Sequence, residues 1–192
     1  MTARTLALAS VLAAGATFAA AYVVLLPRLS EPPAAPVPPP APAEDVEARK
    51  ITAHLFFVAQ DGMRLVSIER EVAFGEDTVE QARRILEAQL EPAPPPYASA
   101  IPPGTTLRRV FVTDRGEAFV DVSAEVRSAH PGGSLNELFT TYTIVNALTA
   151  NLPAVTAVQI LIDGKEVDSL AGHLDLRRPL QQNDRLVAGP PQ

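Results

Sequence analysis

Residues 6–26 form an uncharged, largely apolar run between Arg4 and Arg28. An α-helix rises about 1.5 Å per residue, so about 20 apolar residues cross the hydrocarbon core of a bilayer. The run has that length and predicts a transmembrane anchor within residues 1–29. A cleaved signal peptide is the alternative, because the alanines at positions 19–21 can supply a cleavage site. Apolar residues continue through position 26, which favours the uncleaved anchor.

A proline-rich segment follows in residues 30–49, with seven prolines between positions 32 and 42. Proline fixes φ and removes a backbone donor, so we expect an extended spacer rather than a helix or a strand. A ligand for a proline-binding groove is the other interpretation of this composition. Arg4 and Arg28 lie on opposite sides of the apolar run, so the count of basic residues hardly separates the two orientations. No basic cluster follows the run before Arg49, and we expect the amino terminus in the cytoplasm and the soluble part outside it.

The charge and cysteine content exclude several classes of function. The chain has 22 acidic and 16 basic residues, and two of the basic ones, Arg4 and Arg28, flank the anchor. An acidic domain without a basic patch is not expected to bind nucleic acid or anionic lipid. The chain has no cysteine, which excludes disulfides, thiolate metal sites, a cysteine nucleophile and a lipidated N-terminal cysteine.

Residues 50–187 are long enough for one domain with a single core. Two hairpins are expected, because turns that contain glycine separate runs rich in β-branched and aromatic residues. A further strand is apolar on both sides and is therefore expected in the interior of a sheet. The expected strands are residues 51–58, 65–72, 107–113, 117–122 and 158–162.

Two amphipathic helices are predicted from apolar spacing and capping residues. The first begins after the N-cap residue Asp77 and ends before the prolines that start at Pro92. The second begins with a capping box of Ser134 and Glu137 and has an apolar stripe that starts at Leu135. The order ββαββαβ predicts an α+β, two-layer sandwich with a mixed five-stranded sheet and both helices on one face.

Four blocks of the domain resemble the GerMN domain, the module named after sporulation and spore germination proteins. The blocks are residues 100–107 (AIPPGTTL), 120–123 (VDVS), 142–149 (YTIVNALT) and 158–164 (VQILIDG). The resemblance implies a compact α/β module, similar to the ring-building motif of secretion systems, in an exported or membrane-attached bacterial protein of the cell envelope. Together with the expected anchor, it implies a single-pass protein of the bacterial inner membrane whose soluble domain lies in the periplasm. It implies no catalytic motif. This chain differs from the named spore proteins in having one copy of the domain and no lipidation cysteine.

The histidines and serines form no recognisable catalytic or metal-binding motif. His54, His130 and His173 lack the local spacing of zinc ligands. Ser123 and Ser134 lack the Gly-x-Ser-x-Gly elbow of a nucleophile.

The remaining candidates have simpler structural interpretations. Asp121 and Asp163 are expected in turns or caps rather than as a hydrolytic pair. Gly132 and Gly133 are expected in a loop with positive φ, because the other residues of a phosphate-binding loop are missing. We therefore expect no catalytic, cofactor-binding or metal site.

After the last strand, Leu174, Leu176 and Leu180 are expected to pack on the core, with partner docking as the alternative. Residues 188–192 are expected to be a short tail. The sequence thus predicts a non-enzymatic, membrane-anchored module for protein–protein interaction or self-association in a bacterial envelope complex. Binding to peptidoglycan beside a wall hydrolase is the alternative, although the chain has no tryptophan and only three tyrosines to stack on sugars.

Overall fold

The computed structural model describes residues 49–188. Its elements are β1 (Lys50–Val58), β2 (Leu65–Ala73), α1 (Thr78–Leu90), β3 (Leu107–Val112), β4 (Glu117–Val122), α2 (Glu125–Ser128), α3 (Ser134–Thr149), β5 (Ala157–Ile162), β6 (Lys165–Glu166) and a 3-10 turn (Asp184–Leu186). The apolar run of residues 6–26, the prolines of the spacer and residues 189–192 lie outside the described residues. No helix within the described range is long and apolar enough to cross a membrane.

The fold is α+β, as predicted, but its strands form two sheets where one was expected. β1 and β2 form an antiparallel hairpin, and the second sheet has the order β3-β4-β5-β6. Within it, β4 and β5 are parallel and the other pairs are antiparallel. β5 lies between two neighbours, as its apolar character predicted, and the turn at Asp163 and Gly164 leads into the unpredicted β6.

Side-chain amides occupy the edge of β1 at which a fifth strand would have to join. The buried amide of Gln89, in α1, accepts from the backbone N–H of Phe56 at 2.8 Å and donates to its C=O at 2.9 Å. Asn151 forms the same pair of bonds with His54, and the end of the strand pairs with Ala98. The predicted five-stranded sheet was wrong because these groups leave no backbone for another strand.

α1 and α3 pack against each other, and each contacts strands of both sheets, so they do not lie on one face of a single sheet. α3 is buried on almost every side. Even its polar residues Thr140 and Asn146 are completely inaccessible to solvent. The predicted stripe is wrong at Leu135, which is 37% exposed. The completely buried core side chains include Leu55, Phe57, Ile85, Val120 and Leu148.

The two predicted helix caps differ in outcome. Asp77 accepts a hydrogen bond from the N–H of Glu80 at 2.8 Å, as predicted for an N-cap. The capping box was wrong: Ser134 is the first residue of α3, Gly133 takes the cap position with φ +87°, and no side chain caps this end. Glu137 is buried and bonds to a distant loop instead of reaching back to the cap.

Alanine substitutions separate these two cases. Asp77→Ala is expected to lower the free energy of unfolding by about 1 kcal/mol, because the N–H of Glu80 loses its acceptor. Ser134→Ala is expected to change it by less than about 0.5 kcal/mol, since its hydroxyl caps nothing. Urea-induced unfolding followed by circular dichroism compares the two, and equal losses would contradict the assignment of the caps.

The segment after β6 packs on the domain, as predicted. Leu176 is 1% exposed, and Leu180 exchanges two backbone hydrogen bonds with Val158 in β5. The N–H of Ala188 donates to the C=O of Leu65 at the start of β2. The end of the described chain therefore joins both sheets.

Candidate interaction surface

The three histidines lie in separate local networks. Nδ1 of His54 is 3.3 Å from Oγ of Ser67, and Nε2 of His130 is 3.2 Å from Oγ1 of Thr140. His173 contacts a buried carboxylate instead. Within residues 49–188, no three His, Cys, Asp or Glu side chains come together in a way that could hold a metal ion.

That carboxylate is Glu137, whose side chain is completely buried in the first turns of α3. Its oxygens accept the backbone N–H groups of Leu170, Ala171 and His173 at 2.8–2.9 Å, and Nδ1 of His173 lies at 3.1 Å. Burial acts to raise the pKa of Glu137, but these hydrogen bonds outweigh it and hold the pKa below the ordinary value of 4.5. The ionised carboxylate fixes the loop after β6 to α3.

The two strand-end carboxylates meet at one arginine. Nε of Arg108 lies 3.3 Å from Oδ2 of Asp121, and its Nη1 bonds to Asp163. The N–H of Gly164 donates to Oδ1 of Asp121 at 2.7 Å. Asp163 lies in the turn after β5, as expected, whereas Asp121 is buried within β4 and caps that turn only through its side chain. Arg108 lies at the irregular position of the β3–β4 register and was not foreseen.

Ser123, Gly132 and Gly133 also have structural roles. Oγ of Ser123 accepts from the N–H of Thr106 at 3.0 Å. The two glycines have φ of +79° and +87°, as predicted for a loop that requires left-handed backbone.

Two open cavities flank the loop of residues 98–105. The first, of about 400 Å³, is bounded by this loop, Pro131 and two side chains of α3, Asn136 and Phe139. The second, of about 440 Å³, lies between the loop and the end of α1. The wall of the first contains no titratable side chain, so it offers apolar surface without acid–base chemistry.

An exposed aromatic pair lies on the second sheet. Phe111, in β3, is 62% exposed, and its ring centroid lies 6.5 Å from that of Phe119, its register partner in β4. Because side chains alternate along a strand, this pair lies on the face opposite to the buried Ala118 and Val120. An exposed ring on a sheet is a feature of interaction surfaces when the backbone beside it is also free.

β3 is the first strand of its sheet and has a strand on one side only, while α1 packs against it. Within residues 49–188, no hydrogen bond reaches the N–H or C=O of Val110 or Val112 from the other side. The N–H of Thr113 donates to the C=O of Glu117 in β4 at 2.9 Å. Backbone bonding alternates along a strand, so odd-numbered positions bond to β4 while Val110 and Val112 direct their N–H and C=O groups outward. Another extended chain can add to such an edge.

The other strand edges are covered or carry charge. Gln89 and Asn151 occupy the edge of β1, and β6 covers part of the edge of β5. Residues 187 and 188 pair with the start of the outer edge of β2, and the rest of this edge carries the exposed residues Glu69 and Glu71, whose charges discourage pairing. β3 is therefore the edge best suited to pairing. We call the free edge of β3, together with Phe111 and Phe119, the β3 surface.

Sequence reasoning did not identify the β3 surface. In the sequence, Phe119 alternates with the apolar residues Ala118 and Val120, and this alternation was the available signal. The register that places Phe111 beside Phe119, and the position of β3 at the edge, depend on the tertiary arrangement of strands.

Residues 54–168 match the protein family Germane, described as sporulation and spore germination. A comparison with curated proteins finds no match.

Three solved structures are similar in fold. The tandem GerMN domains of the sporulation protein GerM from Bacillus subtilis align with a TM-score of 0.55 and 16% identity, over 69% of this chain and 46% of that one. The first GerMN domain of GerM aligns at 0.50 and 15%, over 68% of this chain and 97% of that one. A structure named "Putative Lipoprotein from Clostridium perfringens" aligns at 0.50 and 22%, over 75% and 95%. This chain thus spans less than half of the tandem structure and nearly all of a single domain.

Proposed function

This chain belongs to the Germane family of sporulation and spore germination domains, and on that premise we propose that it is a non-enzymatic, membrane-anchored module that binds a protein partner in the bacterial cell envelope. The observation that carries the proposal is the exposed Phe111 beside the free edge of β3. The family is described by a developmental process rather than by a reaction, which supports a binding role.

The polar side chains also support binding over catalysis. A catalytic acid or base has to reach its substrate. Glu137 is instead engaged by three backbone N–H groups, and Asp121 and Asp163 are engaged by Arg108. Each of these carboxylates contributes to the fold.

The proposed location is the extracytoplasmic side of the inner membrane. Residues 6–26 would supply the anchor, and the prolines of residues 30–49 would hold the domain away from the bilayer. The similar Clostridium perfringens structure is named as a lipoprotein, which supports attachment to a membrane. This chain has no cysteine to carry a lipid, so an apolar helix would serve the same purpose.

Photo-crosslinking in living cells tests the proposal. A photoreactive phenylalanine analogue is placed in the full chain at position 111 or, as a matched control, at Met63, which is 67% exposed in the turn between β1 and β2. We expect protein adducts from position 111 and far fewer from position 63, because only the first lies at a free strand edge. Protease added outside spheroplasts is expected to digest the adducts.

Three results would contradict the proposal. Equal adducts from both positions would mean that the β3 surface is not selective. Adducts that survive external protease in intact spheroplasts, but not in lysed ones, would place the domain in the cytoplasm. Adducts to peptidoglycan in place of protein would support the alternative wall-binding role, for which Tyr97 and Tyr142 are poorly suited because both are partly buried.

A further inference from the structure

We propose that the partner of the β3 surface is a second copy of this chain, paired antiparallel through β3 about a two-fold axis beside Phe111. The inference rests on the proposed function, because it names the partner of the same surface. In this arrangement Val110 of each copy exchanges backbone hydrogen bonds with Val112 of the other. The four-stranded sheets of the two copies then form one continuous sheet.

The aromatic residues favour pairing about this axis. Relative to the new partner, Phe111 occupies a non-hydrogen-bonded position, where side chains on opposite strands approach most closely. Its ring, which is 62% exposed, is covered by the same ring of the second copy, with Phe119 of each copy on the outer side. Removal of this apolar surface from water and contact between the rings both favour association.

The charges on the same face are self-complementary under the two-fold axis. Arg109 lies on one side of Phe111, and Glu117 lies beside Thr113 on the other. Antiparallel pairing brings Arg109 opposite Thr113 of the second copy and near its Glu117. Neither Arg109 nor Glu117 forms an ion pair with another of residues 49–188.

The position of the ring disfavours the opposite orientation. Two copies that paired in parallel through the same edge would have opposite faces upward, because the second copy would have to be turned over, and their Phe111 rings would lie on opposite sides of the joined sheet. The exposed ring therefore selects the antiparallel dimer, which is the arrangement that joins Phe111 to itself.

Arg108 limits the length of the paired segment. It lies at the irregular position of the β3–β4 register, and its side chain is held by Asp121 and Asp163. Irregular positions of this kind interrupt pairing at a sheet edge, so residues 109–113 remain available. Such a short contact belongs to the weak interfaces, below about 1,200 Å² of buried surface. Because each copy uses its free edge once, the assembly closes at two copies.

Single cysteines test the geometry, because the natural chain has none. The full chain in detergent is prepared with Arg109→Cys and, separately, with Thr113→Cys, so that Phe111 is unchanged. Mild oxidation of the mixture is expected to give a disulfide-linked dimer, since the two positions face each other within the Cα separation of about 4–7 Å that a disulfide requires. Each variant alone is expected to stay unlinked, because like positions lie about 13 Å apart along the strands.

Sedimentation equilibrium measures the association without cysteines. Phe111→Lys places two like charges at the two-fold axis and is expected to raise the dimer dissociation constant at least about tenfold. Met63→Lys introduces the same charge at another exposed apolar residue and is expected to leave the constant unchanged.

Two outcomes would overturn the second-copy inference: a chain that stays monomeric up to about 1 mM, or Arg109→Cys alone linking as readily as the mixture. If adducts from position 111 then contained a different protein, the proposed function would stand without the dimer. The absence of both adducts and dimer would end both proposals.

Discussion

Glu137→Ala is expected to lower the free energy of unfolding by about 3–5 kcal/mol, because several hydrogen-bond donors lose one buried, charged acceptor. The N–H groups of Leu170, Ala171 and His173 lose their acceptor together, where the carboxylate is completely buried. A buried donor without a partner costs about 1–3 kcal/mol. Against a total stability of about 5–15 kcal/mol, this loss is large. Urea-induced unfolding followed by circular dichroism measures it.

Two control variants isolate the cause. Glu137→Gln keeps the shape and one oxygen acceptor, so its loss is expected to be smaller, about 1–2 kcal/mol. Glu166→Ala removes an exposed carboxylate in β6 and is expected to change the free energy by less than about 0.5 kcal/mol. Equal losses for Glu137→Ala and Glu166→Ala would show that the buried hydrogen bonds do not stabilise the fold.

The contribution of Glu137 also has a defined pH dependence. Its pKa in the folded chain lies below 4.5, so its stabilisation is complete above about pH 4.5 and is lost as the pH falls through the lower folded pKa. The glutamine of Glu137→Gln does not titrate in this range. The difference in free energy of unfolding between the natural chain and Glu137→Gln should therefore shrink in acid, and a constant difference would contradict the ionised state.

The sequence predicted those features that depend on neighbouring residues. Both hairpins, the Asp77 cap and the interior position of β5 follow from alternation, turn residues and proline positions within short segments. The failure at Ser134 has a local cause as well, because Gly133 can adopt the left-handed conformation that starts α3 without a side-chain cap. Glu137 is then free to serve a loop that lies more than thirty residues away along the chain.

The division into two sheets depends on contacts between distant residues. Gln89 is separated from Phe56 by 33 residues, and Asn151 from His54 by 97. A polar residue in a helical pattern predicts an exposed position, and nothing in the local sequence shows that these amides replace a neighbouring strand. The β3 surface was missed for the same reason, since it exists because the fold covers the edge of β1 and leaves that of β3 free.

Gln89→Leu is expected to lower the free energy of unfolding by about 2–4 kcal/mol, because both the N–H and the C=O of the buried Phe56 lose their partner. Leucine has a similar volume, so the loss of packing is small. Asn151→Ala removes the same pair of bonds from the exposed His54, where water can replace them, and about 1 kcal/mol or less is expected. Urea-induced unfolding gives both values, and hydrogen exchange should show faster exchange of the Phe56 amide in Gln89→Leu. Equal losses of stability in the two variants, together with a Phe56 N–H that stayed protected from exchange, would show that the side chain of Gln89 does not stabilise the buried edge of β1.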